Sequence, residues 1–330
     1  MRDPAFWWRP AGLAAAILSP VGAIYGAVAG SRMARPGRTA GVPVVCIGNL
    51  TLGGAGKTPA AILAAQILAG EGRKPFVLSR GYGGSLAGPL RVDPARHRAA
   101  DVGDEPLLLA RSAPVIVARD RVAGAEAARA AGADIVIMDD GFQNPSLQKD
   151  LSIVVVDGRR GVGNGSVFPA GPLRAPLDAQ LGHAQAVLVM GQPVEAWPVL
   201  AHAFARKLPL FHGALEPDQI ALAEIQRRPV LAFAGIGDPD KFFATLSVAG
   251  IDVKARMPFP DHHRFSRSEA LALAERARRD GLLPVTTEKD MARLMGDADA
   301  AELAAASRAL PVRLVVAEER AFRDLLLRVR

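Results

Sequence analysis

The 330-residue chain has one cysteine, Cys46, and only 5% of its residues are aromatic. A single thiol excludes an intrachain disulfide framework, and its place in the apolar run Val42-Pro43-Val44-Val45-Cys46-Ile47 predicts packing, not redox chemistry. Few aromatics, no stacking motif and no zinc-finger spacing disfavour nucleic acid as a partner. The formal charge of +7 then points to an anionic substrate or an anionic lipid surface. No internal repeat or low-complexity tail is present. Half of the residues are hydrophobic, so a chain of this length can bury a sizeable core and suggests two domains.

The most informative stretch is Gly48-Asn49-Leu50-Thr51-Leu52-Gly53-Gly54-Ala55-Gly56-Lys57-Thr58-Pro59. The apolar run before it suits a buried parallel strand. Pro59 to Leu68 is rich in helix formers, with proline at an early helical position. The loop therefore joins strand to helix. Thr51, Leu52, Gly53, Gly54, Ala55 and Gly56 offer backbone N–H groups to phosphate oxygens, Lys57 can reach the β/γ-phosphates, and the Thr58 hydroxyl can hold Mg²⁺. One element departs from G-x-x-x-x-G-K-S/T: the position of its first glycine is Thr51.

Ala11 to Gly30 carries no formal charge, contains Pro20, and is flanked by Arg2, Arg9, Arg32, Arg35 and Arg38. A secretory signal and a spanning helix both compete for this segment, but the single cysteine and the nucleotide loop favour a protein that stays inside. The preferred reading is an interfacial helix over residues 1–35. In it Phe6, Trp7, Trp8, Leu13, Ile17, Leu18, Ile24 and Tyr25 meet lipid while arginines meet headgroups; an ordinary core-packing helix is the alternative.

Beyond it strands and helices alternate. Residues 74–79, 114–118, 134–138 and 151–156 read as buried strands of a parallel α/β sheet, a P-loop NTPase-like core over 36–225. A second, smaller α/β unit over 226–330 takes strands at 229–234, 283–287 and 312–316 with helices near 239–249, 266–280 and 318–328. The polar stretches 215–219 and 226–229 mark the linker.

Chemistry gathers at strand ends. Asp139 and Asp140 follow the apolar Ile-Val-Ile-Met, where a Walker-B-like metal site belongs, although Asp-Asp-Gly also suits a plain turn. Asp104, before Glu105-Pro106, reads by itself as a helix cap. Asp261-His262-His263 could orient a carboxylate that removes a proton from a sugar hydroxyl, and adjacent histidines without further ligands argue against zinc. Thr286-Thr287-Glu288-Lys289-Asp290 reads as a helix start with an internal salt bridge.

Together these motifs, with Ser79-Arg80-Gly81-Tyr82-Gly83, Gly103-Asp104-Glu105-Pro106 and Pro169-Ala170-Gly171-Pro172-Leu173-Arg174, resemble the tetraacyldisaccharide 4'-kinases, the lipid A kinases of Gram-negative bacteria. In that family's pattern the Thr51 position is ordinary. The resemblance implies transfer of the ATP γ-phosphoryl group to the 4'-hydroxyl of a tetraacylated disaccharide 1-phosphate at the cytoplasmic face of the inner membrane. It implies Asp104 as base, His262 as its partner, and Lys57 and Thr58 at the phosphates and Mg²⁺, with Glu105, Asp139 and Asp140 as further metal candidates. Arg80, Tyr82, Arg119, Arg121 and Arg174 are candidates for the substrate's phosphate and sugar. The rival reading is a membrane-associated ATPase switch of the partitioning type, whose signature lysine before the double glycine is here Leu52. No guanine-reading Asn-Lys-x-Asp motif supports a GTPase.

Overall fold

The computed structural model describes residues 3–329, so Arg2, one of the flanking arginines, lies outside the described residues. Its strands are β1 (Val44–Asn49), β2 (Pro75–Ser79), β3 (Leu90–Arg91), β4 (Val115–Val117), β5 (Ile135–Asp139), β6 (Leu151–Asp157), β7 (Ala186–Met190), β8 (Leu210–Pro217), β9 (Val230–Ala234), β10 (Val253–Pro258), β11 (Leu283–Thr287), β12 (Arg308–Leu310) and β13 (Val312–Val316). Nine form one sheet in the order β13-β8-β7-β6-β1-β5-β2-β4-β3, and four form a second in the order β10-β9-β11-β12. All pairings are parallel except those of the two edge strands, β13 on β8 and β3 on β4. The central strands β1, β5 and β6 are buried on both faces, which is why their sequences are continuous apolar runs without alternation.

The order of the large sheet positions the site. β1 lies between β5 and β6, with Ile47 beside Asp139, so the glycine-rich loop and the paired aspartates leave the sheet at the same end, outside the carboxyl ends of parallel strands. The Lys57–Gly70 helix then covers one face, burying Ala60, Ala61, Ala64, Ala65 and Leu68.

Two expectations about the second unit are corrected. Residues 215–217 are not linker but the end of β8. The 312–316 strand does not belong to the small sheet: it pairs antiparallel with β8 in the large one. The chain crosses between the units twice, after Pro217 and at Pro311, where the Asp218 N–H donates to the Pro311 carbonyl. The return is stabilised by the amphipathic Glu319–Leu327 helix. Its fully buried Phe322 and Leu326 join the core under the Lys57–Gly70 helix, with the Phe322 ring edge-on to Phe211 at 5.2 Å.

The apolar segment forms one helix, Leu13–Met33, with Pro20 inside it. One face is built of small residues. A Cβ on Gly22 would stand 2.8 Å from the Val167 carbonyl oxygen, and Gly26 faces Pro176, so glycine is what lets this face dock on the 166–176 segment. The other face leaves Leu13, Ile17, Val21, Ile24 and Val28 more than half exposed at spacings of three and four. The aromatic residues before the helix behave otherwise than expected. Trp7 is buried and donates from Nε1 to the Pro169 carbonyl, and Trp8 lies under the Arg160 guanidinium at 4.9 Å. Phe6 is half-buried. The Trp7 hydrogen bond and the cation–π contact of Trp8, whose own indole N–H is buried without a hydrogen-bond partner among the described residues, anchor the segment to the 160–169 loop instead of leaving these two rings to lipid.

Candidate active site

The loop is held open by its own surroundings. Asn49 Nδ2 donates to the Thr51 and Gly53 carbonyls, and the Leu52 N–H donates to Pro172. Gly53 and Gly56 both adopt φ near +90°, in the left-handed half of the map that a side chain avoids. This geometry turns the chain into the Lys57–Gly70 helix, whose first residues, Lys57 and Thr58, are buried. The Pro169–Arg174 motif acts as a brace: Arg174 donates to Leu50 from its backbone, to the Thr51 carbonyl from Nε, and to both Asp140 oxygens from its guanidinium.

The three carboxylates expected near a metal occupy different states. Asp140, at φ +50°, pairs with Arg174 at 2.9 Å and Lys57 at 3.6 Å; burial opposes its ionisation, but these two cations overcome it and bring the pKa down to about 2. Glu105 Oε1 lies 3.5 Å from the Thr58 hydroxyl and 2.6 Å from Lys289 Nζ. Against its burial, Lys289 and Lys57 hold it ionised, below the usual glutamate range. Asp139 is the exception: both its oxygens are buried without a hydrogen-bond partner, and burial, followed by the charges of Glu105 and Asp140, pushes its pKa up to about 7. A buried orphan carboxylate is costly in a folded protein, and with the Thr58 hydroxyl and Glu105 it offers oxygens of the kind that could hold a hard divalent cation.

Asp104, the neighbour of Glu105 on the Asp104–Leu109 helix, is 3% exposed, and its Oδ2 is 3.4 Å from Nδ1 of His262, which reaches it from the second unit. Burial would raise its pKa, yet the His262 hydrogen bond and the Arg293 and Lys289 charges hold it well below the usual carboxylate range. The same hydrogen bond, outweighing burial, raises the His262 pKa. His262 sits at φ +54°, its N–H donating to the Gly235 carbonyl and its ring edge-on to Tyr82 at 5.2 Å. Positive φ in a non-glycine residue is strain held in place by surrounding contacts, and here it recurs at the two site residues Asp140 and His262. A cavity of about 270 Å³ opens onto this pair, lined also by Tyr82, Gly103, Arg264 and Arg293.

The structure thus brings Lys57, Thr58, Asp104, Glu105, Asp139 and Asp140 together on the large unit, with His262 reaching Asp104 from the second. Of the five substrate candidates, Tyr82 stands at the cavity and Arg174 is committed to the loop. Arg121 is buried, donating to Ala118, with a pKa lowered by burial against the attraction of Asp139 and Asp140. Arg80 and Arg119 are exposed, Arg119 donating weakly to the Ser85 carbonyl. Two residues of the site lie outside the expected set, one of them, Lys289, read from the sequence only as part of a helix start. Lys289 and Arg293 come from the Glu288–Leu294 helix of the second unit. The ion pair expected inside residues 286–290 is instead made across the cleft, Lys289 to Glu105 and Arg293 to Asp104 at 2.9 Å. Further contacts close the units: Lys241 on Asp157, Arg160 on Asp238, and Arg264 on the Gly83 carbonyl. No local pattern announces such partners, because the two ends lie 184 and 189 positions apart in the chain.

A model of the tetraacyldisaccharide-1-P 4'-kinase family matches residues 14–330. The chain is 58% identical to the tetraacyldisaccharide 4'-kinase of Methylobacterium sp. (strain 4-46), covering 97% of this chain and 94% of that one. It is 54% identical to the enzyme of the same name from Rhodopseudomonas palustris (strain BisB5), over 99% and 96%. Among solved structures it is similar to LpxK from Aquifex aeolicus in complex with ATP. That match has a TM-score of 0.75 and 27% identity, over 96% of this chain and 99% of that one.

Proposed function

The chain belongs to the tetraacyldisaccharide-1-P 4'-kinase family and is a lipid A-pathway kinase, and we propose that its transfer runs within the cleft, from ATP on the Thr51–Thr58 loop to a hydroxyl held at Asp104. The carrying observation is the juxtaposition itself: the threonine of a phosphate loop meets Glu105, and the adjacent, buried Asp104 pairs with His262 at the edge of a cavity. Lys57 and the loop N–H groups neutralise the donor phosphates, and ATP binding by the Aquifex aeolicus relative supports that assignment. Mg²⁺ fits the Thr58, Glu105 and Asp139 oxygens, while Asp140 orders Lys57 and Arg174. When bound, Mg²⁺ supplies charge to the phosphate oxygens. Asp104 orients the acceptor 4'-hydroxyl and takes its proton. Its low pKa does not disqualify it, because in a loose transition state the hydroxyl becomes strongly acidic only as its bond to phosphorus forms. His262 keeps the carboxylate turned toward the cavity.

Asp139→Asn is expected to raise the Mg²⁺ concentration for half-maximal velocity by about tenfold or more, as loss of a charged ligand does. An unchanged requirement removes Asp139 from the metal set.

The substrate is a lipid, and the Leu13–Met33 helix supplies the means of reaching it. The helix is long and apolar enough to cross a membrane. Its glycine face, however, is docked on the α/β core, which supports the reading of a helix lying in the interface of the cytoplasmic leaflet with its Leu13–Val28 stripe in lipid. Exposed Arg9, Arg32, Arg35 and Arg38 then face headgroups. Ile17→Asp with Ile24→Asp is expected to abolish flotation with vesicles containing anionic lipid while the melting temperature holds, since both side chains are exposed. Undiminished flotation contradicts the interfacial placement.

A further inference from the structure

Lys289 has no part in the roles assigned so far, although it reaches into the site from the second unit. Its ammonium touches Glu105 at 2.6 Å, and the same Glu105 oxygen lies 3.5 Å from the Thr58 hydroxyl, which ends the phosphate loop. Asp104, the residue before Glu105, is fixed by Arg293 one turn further along the same helix as Lys289. The Lys289 ammonium is therefore held at the junction of the donor loop and the helix start that carries the acceptor carboxylate, beside the path of a phosphoryl group in transit.

Two features separate it from a structural ion pair. Arg293 is fixed in place, with Asp104, Asp290, the Gly235 carbonyl and the His263 carbonyl around its Nε and Nη1, although its Nη2 is buried without a hydrogen-bond partner among the described residues. Lys289 has Glu105 as its one hydrogen-bond acceptor among the described residues, so the remaining donors of its three are free for oxygens that arrive later. Buried ion pairs also contribute little net stability, whereas a lysine is a movable point charge on a flexible stem.

We propose that Lys289 is a catalytic residue of the transfer, contributed by the second unit, whose ammonium exchanges Glu105 for the γ-phosphoryl oxygens of the nucleotide. The proposal rests on the kinase reading and deepens it. In the step, the acceptor oxygen forms its bond to the γ-phosphorus as the bond to the β–γ bridging oxygen breaks. The electron pair leaves with the nucleoside diphosphate, and the hydroxyl proton passes to Asp104. Lys289 exchanges neither proton nor electrons; it neutralises charge on the oxygens in flight. Because it sits on the second unit, the cation reaches the phosphate only when the two units are closed on each other.

The test compares binding of ATP with binding of ADP by calorimetry, together with turnover, in full-length Lys289→Met and Lys289→Arg. Lys289→Met is expected to lose about 10²-fold or more in kcat, as removal of a transition-state donor does. ATP should lose about tenfold of its affinity relative to ADP, the loss of one charge-assisted contact, with ADP affinity unchanged. Lys289→Arg should recover part of the ATP preference. An unchanged ATP-to-ADP ratio with wild-type turnover overturns the proposal. Since Lys289→Met strands a buried Glu105, the comparison is repeated in a Glu105→Gln background, where adding Lys289→Met must lower the ratio further; no further change assigns Lys289 to the ion pair alone and overturns it. Failure of the kinase reading looks different: the unaltered protein then binds ATP but yields no phosphorylated lipid.

Discussion

Asp104→Ala is expected to lower kcat by about 10²- to 10⁴-fold, the span of positioned acid–base groups, while ATP affinity stays close to that of the unaltered protein. Among the described residues the Asp104 side chain makes no hydrogen bond to the phosphate loop, so the donor site keeps Lys57, Thr58 and the loop N–H groups in place. What is lost is the oxygen that aligns the acceptor and receives its proton. Asp104→Ala also removes a partner from Arg293, and a drop in stability could mimic a catalytic loss. Asp104→Asn meets that objection: it keeps the shape and one oxygen for Arg293 but cannot take the proton. Steady-state kinetics beside a thermal melt and an ATP titration separate the contributions. Near-normal turnover by a folded Asp104→Asn protein would remove the base assignment.

Arg293→Met is expected to be the most destabilising single change in the cleft, by about 3–5 kcal/mol, the usual result of breaking a buried ion pair from one side. The side chain is 6% exposed and Asp290 is fully buried. Removing the guanidinium leaves Asp104 and Asp290 as buried carboxylates with one cation fewer, and leaves the Gly235 and His263 carbonyls without a shared donor. Gly235 also accepts from the His262 backbone, so the strained turn that carries His262 loses its support. The effect should therefore appear in both stability and turnover. Urea denaturation followed by fluorescence measures the first, and a loss below about 1 kcal/mol, the range of an exposed pair, would contradict the buried-bridge reading.

Much of this arrangement was legible in the sequence because its signals are local. The strand–loop–helix of residues 44–70, the apolar run ending in Asp139-Asp140 and the helix of 267–279 opened by Ser266 each declare themselves within a dozen residues. β7 carries the same buried apolar signal as its neighbours yet lies outside the expected strands. β8 and β10 are half-exposed and broken by polar residues, so their sequences do not separate from loops. Neither the return of β13 to the large sheet nor the pairing of Lys289 with Glu105 has a local signal; both depend on which surfaces the assembled units leave to be covered. The N-terminal aromatics teach a related point. Composition alone suggested a lipid-facing belt, but Trp7 finds its hydrogen bond inside the fold, and the lipid-facing assignment passes to the aliphatic stripe of the following helix.

The same interdependence shapes the catalytic argument. The donor half of the cleft belongs to the large sheet, while His262, Lys289 and Arg293, which set the charge on the Asp104 side, belong to the small one. The account's central claim is that these halves make one phosphoryl-transfer site, and incubating the purified chain with γ-labelled ATP, Mg²⁺ and tetraacyldisaccharide 1-phosphate in mixed micelles tests it most directly. The expected result is label on the 4'-oxygen of the lipid, one ADP formed for each lipid phosphorylated, and loss of both products in Lys57→Met. Release of inorganic phosphate from ATP at an undiminished rate without the lipid, with no labelled lipid when it is present, would contradict it and return the protein to the class of ATPase switches.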